Sequence, residues 1–209
     1  MGKTYWMLVT DQRNYEVTRQ RGFAVQGVDS RNRRKAIRMV SDDRLIYYLA
    51  DRRAFAATST VTSGHFESHE RIWQHHRSRE DFPHRVNTRP DLVLDEDLWL
   101  DARQIGPTLE YVKKWAPEDW PLAFIGMLHI IPQRDFTYLE DEMRRLLRKT
   151  GRPTIPKDVE QARALANPHA PTAPAPQPAA AAAVAGGQPA AEGVAVAPAP
   201  SGPEAQAGQ

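Results

Sequence analysis

Residues 19–48 read RQRGFAVQGVDSRNRRKAIRMVSDDRLIYY, and this stretch decides how the chain is organised. It opens with a loop bracketed by Gly22 and Gly27. Ser30 is placed to cap a helix from Arg31 to about Val40. Ser41-Asp42-Asp43 then makes a turn into an apolar strand from Arg44 to Leu49. A glycine loop, a basic helix start and a core strand thus follow one another directly. Function concentrates in loops that a rigid scaffold holds in place.

Upstream, Tyr5 to Thr10 alternates and is β-prone, and Asp11 caps a short helix through about Val17. Downstream, Arg44–Ala50 and Ala54–Thr62 form a hairpin across Asp51-Arg52-Arg53. Gly64 to Phe82 is a long polar loop with Trp73 inside it. Pro83 and Pro90 bracket a strand over His84–Arg89, and Leu92 to Leu100 alternates as a half-exposed strand. Thr108 begins a short helical stretch, and Gly126 to Ile131 holds the last strand. Asp135 to Lys149 is an amphipathic closing helix with Phe136, Leu139, Met143, Leu146 and Leu147 on one stripe. Strands and helices do not alternate strictly. The pattern therefore predicts the α+β class, with a strongly bent, mixed or antiparallel sheet or small barrel and flanking helices.

Every Trp, Tyr and Phe lies between Tyr5 and Tyr138, while the chain beyond Pro168 is almost entirely Ala, Pro, Gly and Gln. Such a segment has too few large apolar groups to offset its ordering entropy. The expected division is a folded domain over 1–150 and a disordered Ala/Pro-rich tail over 151–209, the latter with room for a short helix near Lys157–Ala166. There is no cysteine, which removes disulfides, thiolate zinc sites and a Cys nucleophile. No apolar run reaches the roughly 18 residues of a membrane span, and MGKTYWMLVT enters a strand rather than a signal peptide. The expected location is cytoplasmic, with no membrane partner.

The net charge is only +2, but it is unevenly spread. Cations dominate residues 1–53, and acids such as Asp95, Glu96 and Asp97 dominate 91–120. Arg31, Arg33, Arg34 and Lys35 sit at the start of the expected helix, where the macrodipole disfavours cations by about 0.3–1 kcal/mol each. Phosphate docking explains that placement, and Arg19, Arg21 and Arg38 extend the neighbourhood. The competing reading is a solvated helix in an arginine-rich chain.

Catalytic signatures are weak. There is no Gly-x-Ser-x-Gly, Walker or dinucleotide-binding glycine pattern, so no catalytic residue and no cofactor is expected. Asp95-Glu96-Asp97 reads more simply as a solvated edge. Five histidines, His65, His69, His75, His76 and His84, crowd the long loop. His65 and His69 would share one face of a helix, as metal ligands do, but the zinc-protease pattern fails, and no metal is expected. Aromatics near the glycine loop suggest a base pocket instead. Unstacked bases are read by stacking and by hydrogen bonds to their edges. Phe23 and Trp73 are the stacking candidates, Gln26 offers both donor and acceptor, and Trp6 and Phe124 line the pocket or simply pack in the core.

Several stretches resemble the EVE domain family of the PUA-like superfamily. They are YWMLVT at 5–10, RGFAVQG at 21–27, RKAIRMVSDDRLIYY at 34–48, AFAATSTVT at 54–62, VLDED at 93–97, LEYVKKW at 109–115 and LAFIGMLH at 122–129. The likeness runs in order over about 1–148. It implies a PUA-like bent β-barrel of about five to six mostly antiparallel strands with flanking helices. It also implies kinship with PUA and YTH domains, which bind RNA, and a role reading a modified base in DNA or RNA without catalysis. By similarity the pocket comprises Trp6, Thr10, Gly22, Phe23, Gln26, Gly27, Trp73 and Phe124, with Trp73 as the nearest equivalent of a YTH cage wall. Phosphates would lie on Arg19, Arg21, Arg31, Arg33, Arg34 and Lys35. Two other classes stay open: a metal-assisted enzyme acting on nucleic acid or nucleotides, and a small-molecule or protein adaptor on the same barrel.

Overall fold

A computed structural model describes residues 2–74, 81–116 and 118–166. The first half holds β1 (Tyr5–Thr10), α1 (Gln12–Gln20), β2 (Val25–Val28), a 3-10 turn (Ser30–Asn32) and α2 (Arg33–Ala36). Then come β3 (Arg44–Leu49), β4 (Ala54–Val61), β5 (Phe66–Glu67) and β6 (His84–Val93). The second half holds β7 (Leu100–Asp101), α3 (Ala102–Ile105), several 3-10 turns, β8 (Leu128–Ile130), α4 (Gln133–Thr150) and α5 (Lys157–Ala166). The strands join in one curled sheet in the order β2-β6-β4-β3-β1-β8, with β5 beside β6 and β7 beside β4. β1 and β3 run parallel, while the other pairs are antiparallel. The expected bent α+β sheet is what the chain forms.

Strand alternation supplies two cores. Trp6, Leu8, Leu45 and Tyr47 turn inward with Tyr15 of α1, Phe23, Val86 and Val159 of α5. Met7, Ile46, Tyr48 and Phe55 turn to the other face. There Phe136, Leu139, Met143 and Leu147, one stripe of α4, cover them. Arg44 ties α4 to the sheet. Its guanidinium lies 3.3 Å from Asp91, 2.6 Å from Glu140 and 5.0 Å from the Phe136 ring centroid. Asp43, 1% exposed, joins the starts of β1 and β3. Its carboxylate accepts from Thr4 N, Val40 N and the Trp6 indole at 2.8, 3.2 and 2.9 Å, which is how a buried acid is satisfied.

Three local expectations change. The helix over Arg31–Val40 is instead a 3-10 turn followed by the four residues of α2. The cap is Asp29, whose side chain accepts from Asn32 N, rather than Ser30. A row of like charges destabilises a long helix there, and Asp43 draws Val40 N out of it. The strand expected to stop before Pro90 continues to Val93. Ser59 pairs with Pro90 and Thr58 with Leu92, leaving Asp91 unpaired at a bulge, where a proline is tolerated. The strand expected over Leu92–Leu100 is instead divided between the end of β6, a 3-10 turn over Glu96–Leu98 and β7.

The chain also packs on the domain past residue 150. Val93 N donates to Thr154 O, and Arg152 pairs with Asp95 at 3.1 Å and Asp97 at 2.7 Å. Ile155 packs on the inner core and Val159 is fully buried within it. Val159 and Ile155, with the ion pairs of Arg152 and Asp158, dock a segment whose composition otherwise argues for disorder. The remainder of the expected tail, residues 167–209, lies outside the described residues. Val159→Ala removes two buried methyl groups at about 0.8 kcal/mol each and leaves a cavity, so a loss of about 2 kcal/mol is expected. A chain ending at Thr150 should lose more. Urea unfolding followed by Trp fluorescence checks both; unchanged midpoints would detach α5 from the domain.

Candidate nucleic-acid interface

β1 and β3 end side by side, with Thr10 O accepting from Ala50 N at 2.8 Å. At these two carboxyl ends opens a cleft of about 450 Å³, within the usual range for a small-ligand site. Val9, Thr10 and Asp11 come from β1 and its exit, and Ala50 and Asp51 from beyond β3. Asn14 of α1, Gln74 and Phe82 of the long loop, and Gly126-Met127 before β8 complete it.

Local sequence explains each wall. Asp11 caps α1 by accepting from Asn14 N at 2.8 Å and Asn14 Nδ2 at 3.0 Å. Asn14 also fastens the long loop: its Nδ2 donates to Gln74 O at 2.8 Å, and its Oδ1 accepts from Gln74 N at 2.9 Å. Asp51 accepts from Gln12 N at 3.0 Å, fixing the turn after β3 against α1. Val9 N donates to Met127 O at 2.7 Å, and Asp29 N points at the Met127 sulfur at 3.3 Å. Through Met127 the cleft therefore adjoins the 3-10 turn that carries Arg31, with Arg34 following in α2. Asp11 and Asp51 would repel a phosphate inside it, but they suit the N–H donors of a base edge.

Beside the cleft, Tyr111 O–H and a Gly126 carbonyl flank His129 at 2.9 and 3.2 Å. The carbonyl can only accept, so His129 Nε2 carries the proton and Nδ1 accepts from Tyr111. Burial pushes the His129 pKa down, and nearby Lys35 and Lys114 add to this against the opposing carbonyl.

Of the expected pocket residues, Thr10 lines the cleft and the others lie behind or away from it. Trp6 is 1% exposed and sits at the other end of β1, about 13 Å away at 3.3 Å per residue. Phe23 is buried edge-on against Tyr15 and Tyr47. Phe124 is buried among Tyr48, Phe55 and Trp120 in the outer core. Gly22, at φ +59°, leaves room for the Arg163 backbone of α5, which a Cβ would meet at 2.3 Å. Gln26 is buried and donates to Gly27 O at 2.8 Å, while its Oε1 has no partner among the described residues.

Trp73, expected as a cage wall, is placed as a buried wedge, 5% exposed. Its indole N–H donates to Thr18 at 2.9 Å, and Arg85 lies 5.4 Å over its ring. A Cβ on Gly27 would stand 2.4 Å from the Trp73 ring and 2.9 Å from Phe82 Cβ. Gly27 thus admits Trp73, and Trp73 in turn backs Phe82, whose φ of 48° turns it to the cleft wall. Asp11, Asn14, Asp51, Gln74, Phe82 and Met127 were not singled out from sequence. Only Asp11, read as a helix cap directly after a strand, left a usable signal.

The basic residues divide. Arg19 is fixed between Asp95 and Asp158 at 3.1 and 3.2 Å, and Arg21 pairs with Glu70 at 3.0 Å. Arg33 lies 3.7 Å from Glu67, and Lys35 Nζ donates to Leu128 O at 2.5 Å. Arg31, Arg34 and Arg38 are exposed and form no ion pair among the described residues. His65 and His69 do not share a helix face, because Phe66–Glu67 is a strand; His75 and His76 lie outside the described residues.

No family model matches the sequence. The UPF0310 protein PH1033 of Pyrococcus horikoshii is 23% identical over 148 residues, spanning 66% of this chain and 97% of that protein. Among solved structures, the complex of YTH domain-containing protein mmi1 with RNA superposes at a TM-score of 0.52 and 10% identity. It covers 72% of this chain and 87% of that one. The YTH domain of Zygosaccharomyces rouxii MRB1, in complex with N6-methyladenosine RNA, gives 0.50 at 10% identity, over 68% and 87%. The fold is YTH-like. Among the described residues no helix is long and apolar enough to cross a membrane.

Two outcomes follow from this packing. Gly27→Ala must push Trp73 aside, so a loss of about 1–3 kcal/mol with altered Trp emission is expected. Unchanged emission and stability would mean that Trp73 does not pack there. His129 binds its proton less readily folded than unfolded, so the unfolded chain takes up more protons just below pH 6.5. Stability should therefore fall as pH drops through that window, and His129→Gln should reduce the fall. Urea midpoints at pH 7.5 and 5.5 check this.

Proposed function

We propose that this chain is a non-enzymatic nucleic-acid-binding module, of the EVE kind, that takes one modified base of a DNA or RNA strand into the cleft. The observation that carries the reading is the cleft itself, apolar at Val9, Phe82 and Met127 and polar at Thr10, Asn14 and Asp51, next to unpaired arginines. A flipped base needs this combination of a flat apolar wall and edge-reading groups. Phosphates stay outside, on Arg31, Arg34 and Arg38, where cations without acidic partners gain most from counterion release. The YTH domains of similar fold that were solved with RNA, one of them methylated, support the class of ligand.

The pocket set is revised within this reading. Thr10 and Phe82 form the wall, Asn14 and Asp51 read the edge, and Gly27 and Trp73 hold Phe82 in place. Phe23, Trp6, Phe124 and Gly22 serve the scaffold.

A titration of single- and double-stranded DNA and RNA tests this, each with and without methylated or hydroxymethylated cytosine and methylated adenine, at two salt concentrations. One modified base should be preferred. Ala50→Trp, a change at an exposed rim position, should fill the cleft and abolish that preference. Phe82→Ala should weaken binding roughly tenfold or more, the equivalent of about 1–3 kcal/mol of stacking. Replacing Arg31, Arg34 and Arg38 together by Ala should weaken every oligonucleotide and lower the salt slope by roughly two for a single strand. Undiminished base preference in Ala50→Trp would overturn the pocket assignment.

A further inference from the structure

Away from the cleft, β5 and β6 bring together three potential metal ligands. His65 and Glu67 are two apart in an extended segment and so face the same side of it. Glu67 pairs directly across the ladder with His84. The result is a compact triangle. His65 Nε2 lies 3.1 Å from His84 Nδ1, His84 Nδ1 lies 3.4 Å from Glu67 Oε1, and all three ligand atoms fall within 4.8 Å of one another.

Two of these spacings, 3.1 and 3.4 Å, are close to those of a coordination shell, and the third is no more than 4.8 Å. Zinc–nitrogen and zinc–oxygen bonds of about 2.0–2.2 Å at tetrahedral angles put neighbouring ligand atoms roughly 3.3–3.5 Å apart. A carboxylate and two imidazoles are also the donor set that borderline divalent ions prefer. His84 is held before any ion arrives. It is 5% exposed, and its backbone pairs with Glu67 of β5 on one side and Val28 of β2 on the other. His65 is half-buried and Glu67 is exposed, which leaves an entry path. Arg33 Nε, 3.7 Å from Glu67 Oε1, is the cation that an ion would displace.

We propose that His65, Glu67 and His84 form a site for one divalent ion of the zinc class, with the fourth position left to water. The ion would clamp β5 to β6. A strand of two residues has little stability of its own, and the chain between these strands supplies Gln74 and Phe82 to the cleft. Backbone bonds already mark the junction, Ser68 N donating to Pro83 O at 2.9 Å. The inference does not depend on the base-capture reading, since it rests on residues outside the cleft.

The test uses the full chain without an affinity tag, stripped with chelator, then titrated with Zn(II) by calorimetry and with Co(II) by visible absorption. One ion per chain should bind, cobalt should give the intense spectrum of a tetrahedral site, and Tm should rise with ion concentration. His65→Ala and Glu67→Gln should each weaken binding at least about a hundred-fold, since even outer-shell changes cost 10–100-fold. His69→Ala should leave affinity unchanged, and Arg33→Ala should not weaken it. Equal metal-free melting of parent and variants shows that the fold is intact. Absence of stoichiometric binding, or binding that survives His65→Ala and Glu67→Gln, overturns the site. Oligonucleotide titration of the stripped protein tests the base-capture reading separately.

Discussion

The parallel pairing of β1 with β3 is the constraint on which the rest of the molecule depends. Two parallel neighbours cannot be joined by a tight turn, so the chain must cross one face of the sheet between them. That crossing is α1, β2 and the basic turn, and it supplies the inner core with Tyr15, Phe23 and Val28. The pair is held at one end by the Asp43 carboxylate, which accepts from Thr4, Val40 and Trp6. At the other end the strands stop, and their exits, Asp11 and Ala50-Asp51, line the cleft. The same pairing therefore decides where the cleft opens.

The element order was legible because hydrophobic period and capping are local. Asp11 as a helix cap, the β3–β4 hairpin and the stripe on α4 each follow from a few adjacent residues. Burial of the aromatics was not legible, because it depends on partners far away in sequence. Trp73 stands in a polar loop, and its surroundings suggest exposure. What buries it is the missing Cβ of Gly27 and the hydroxyl of Thr18, 55 residues upstream. Phe82 was passed over for the converse reason: its left-handed backbone and the Trp73 ring behind it exist only after folding.

Charge misleads in a similar way. Counting arginines along residues 19–38 suggests one continuous phosphate-binding face. Folding distributes them. Arg19 cements α5 through Asp158 and reaches Asp95, Arg21 holds the long loop through Glu70, and Lys35 serves a β8 carbonyl. Surface ion pairs of this kind contribute little stability each, but they consume the charge a ligand would otherwise meet. The arginines left over, Arg31, Arg34 and Arg38, form no ion pair among the described residues, and Arg31 lies in a turn packed against Met127. Location relative to acids carries more information than number of cations.

Low sequence identity with the YTH domains is what this division of labour produces. Curling the sheet needs only apolar alternation, one satisfied buried acid and small residues at close approaches, conditions that many sequences meet. The cleft, by contrast, is walled by segments that are not strands: the α1 cap, the turn after β3, the long loop and Gly126-Met127. Those segments can change length and chemistry without disturbing the β1–β3 pairing behind them. In the proposed reading, the choice of base would therefore fall to Asn14, Asp51 and Phe82 on those segments rather than to the fold.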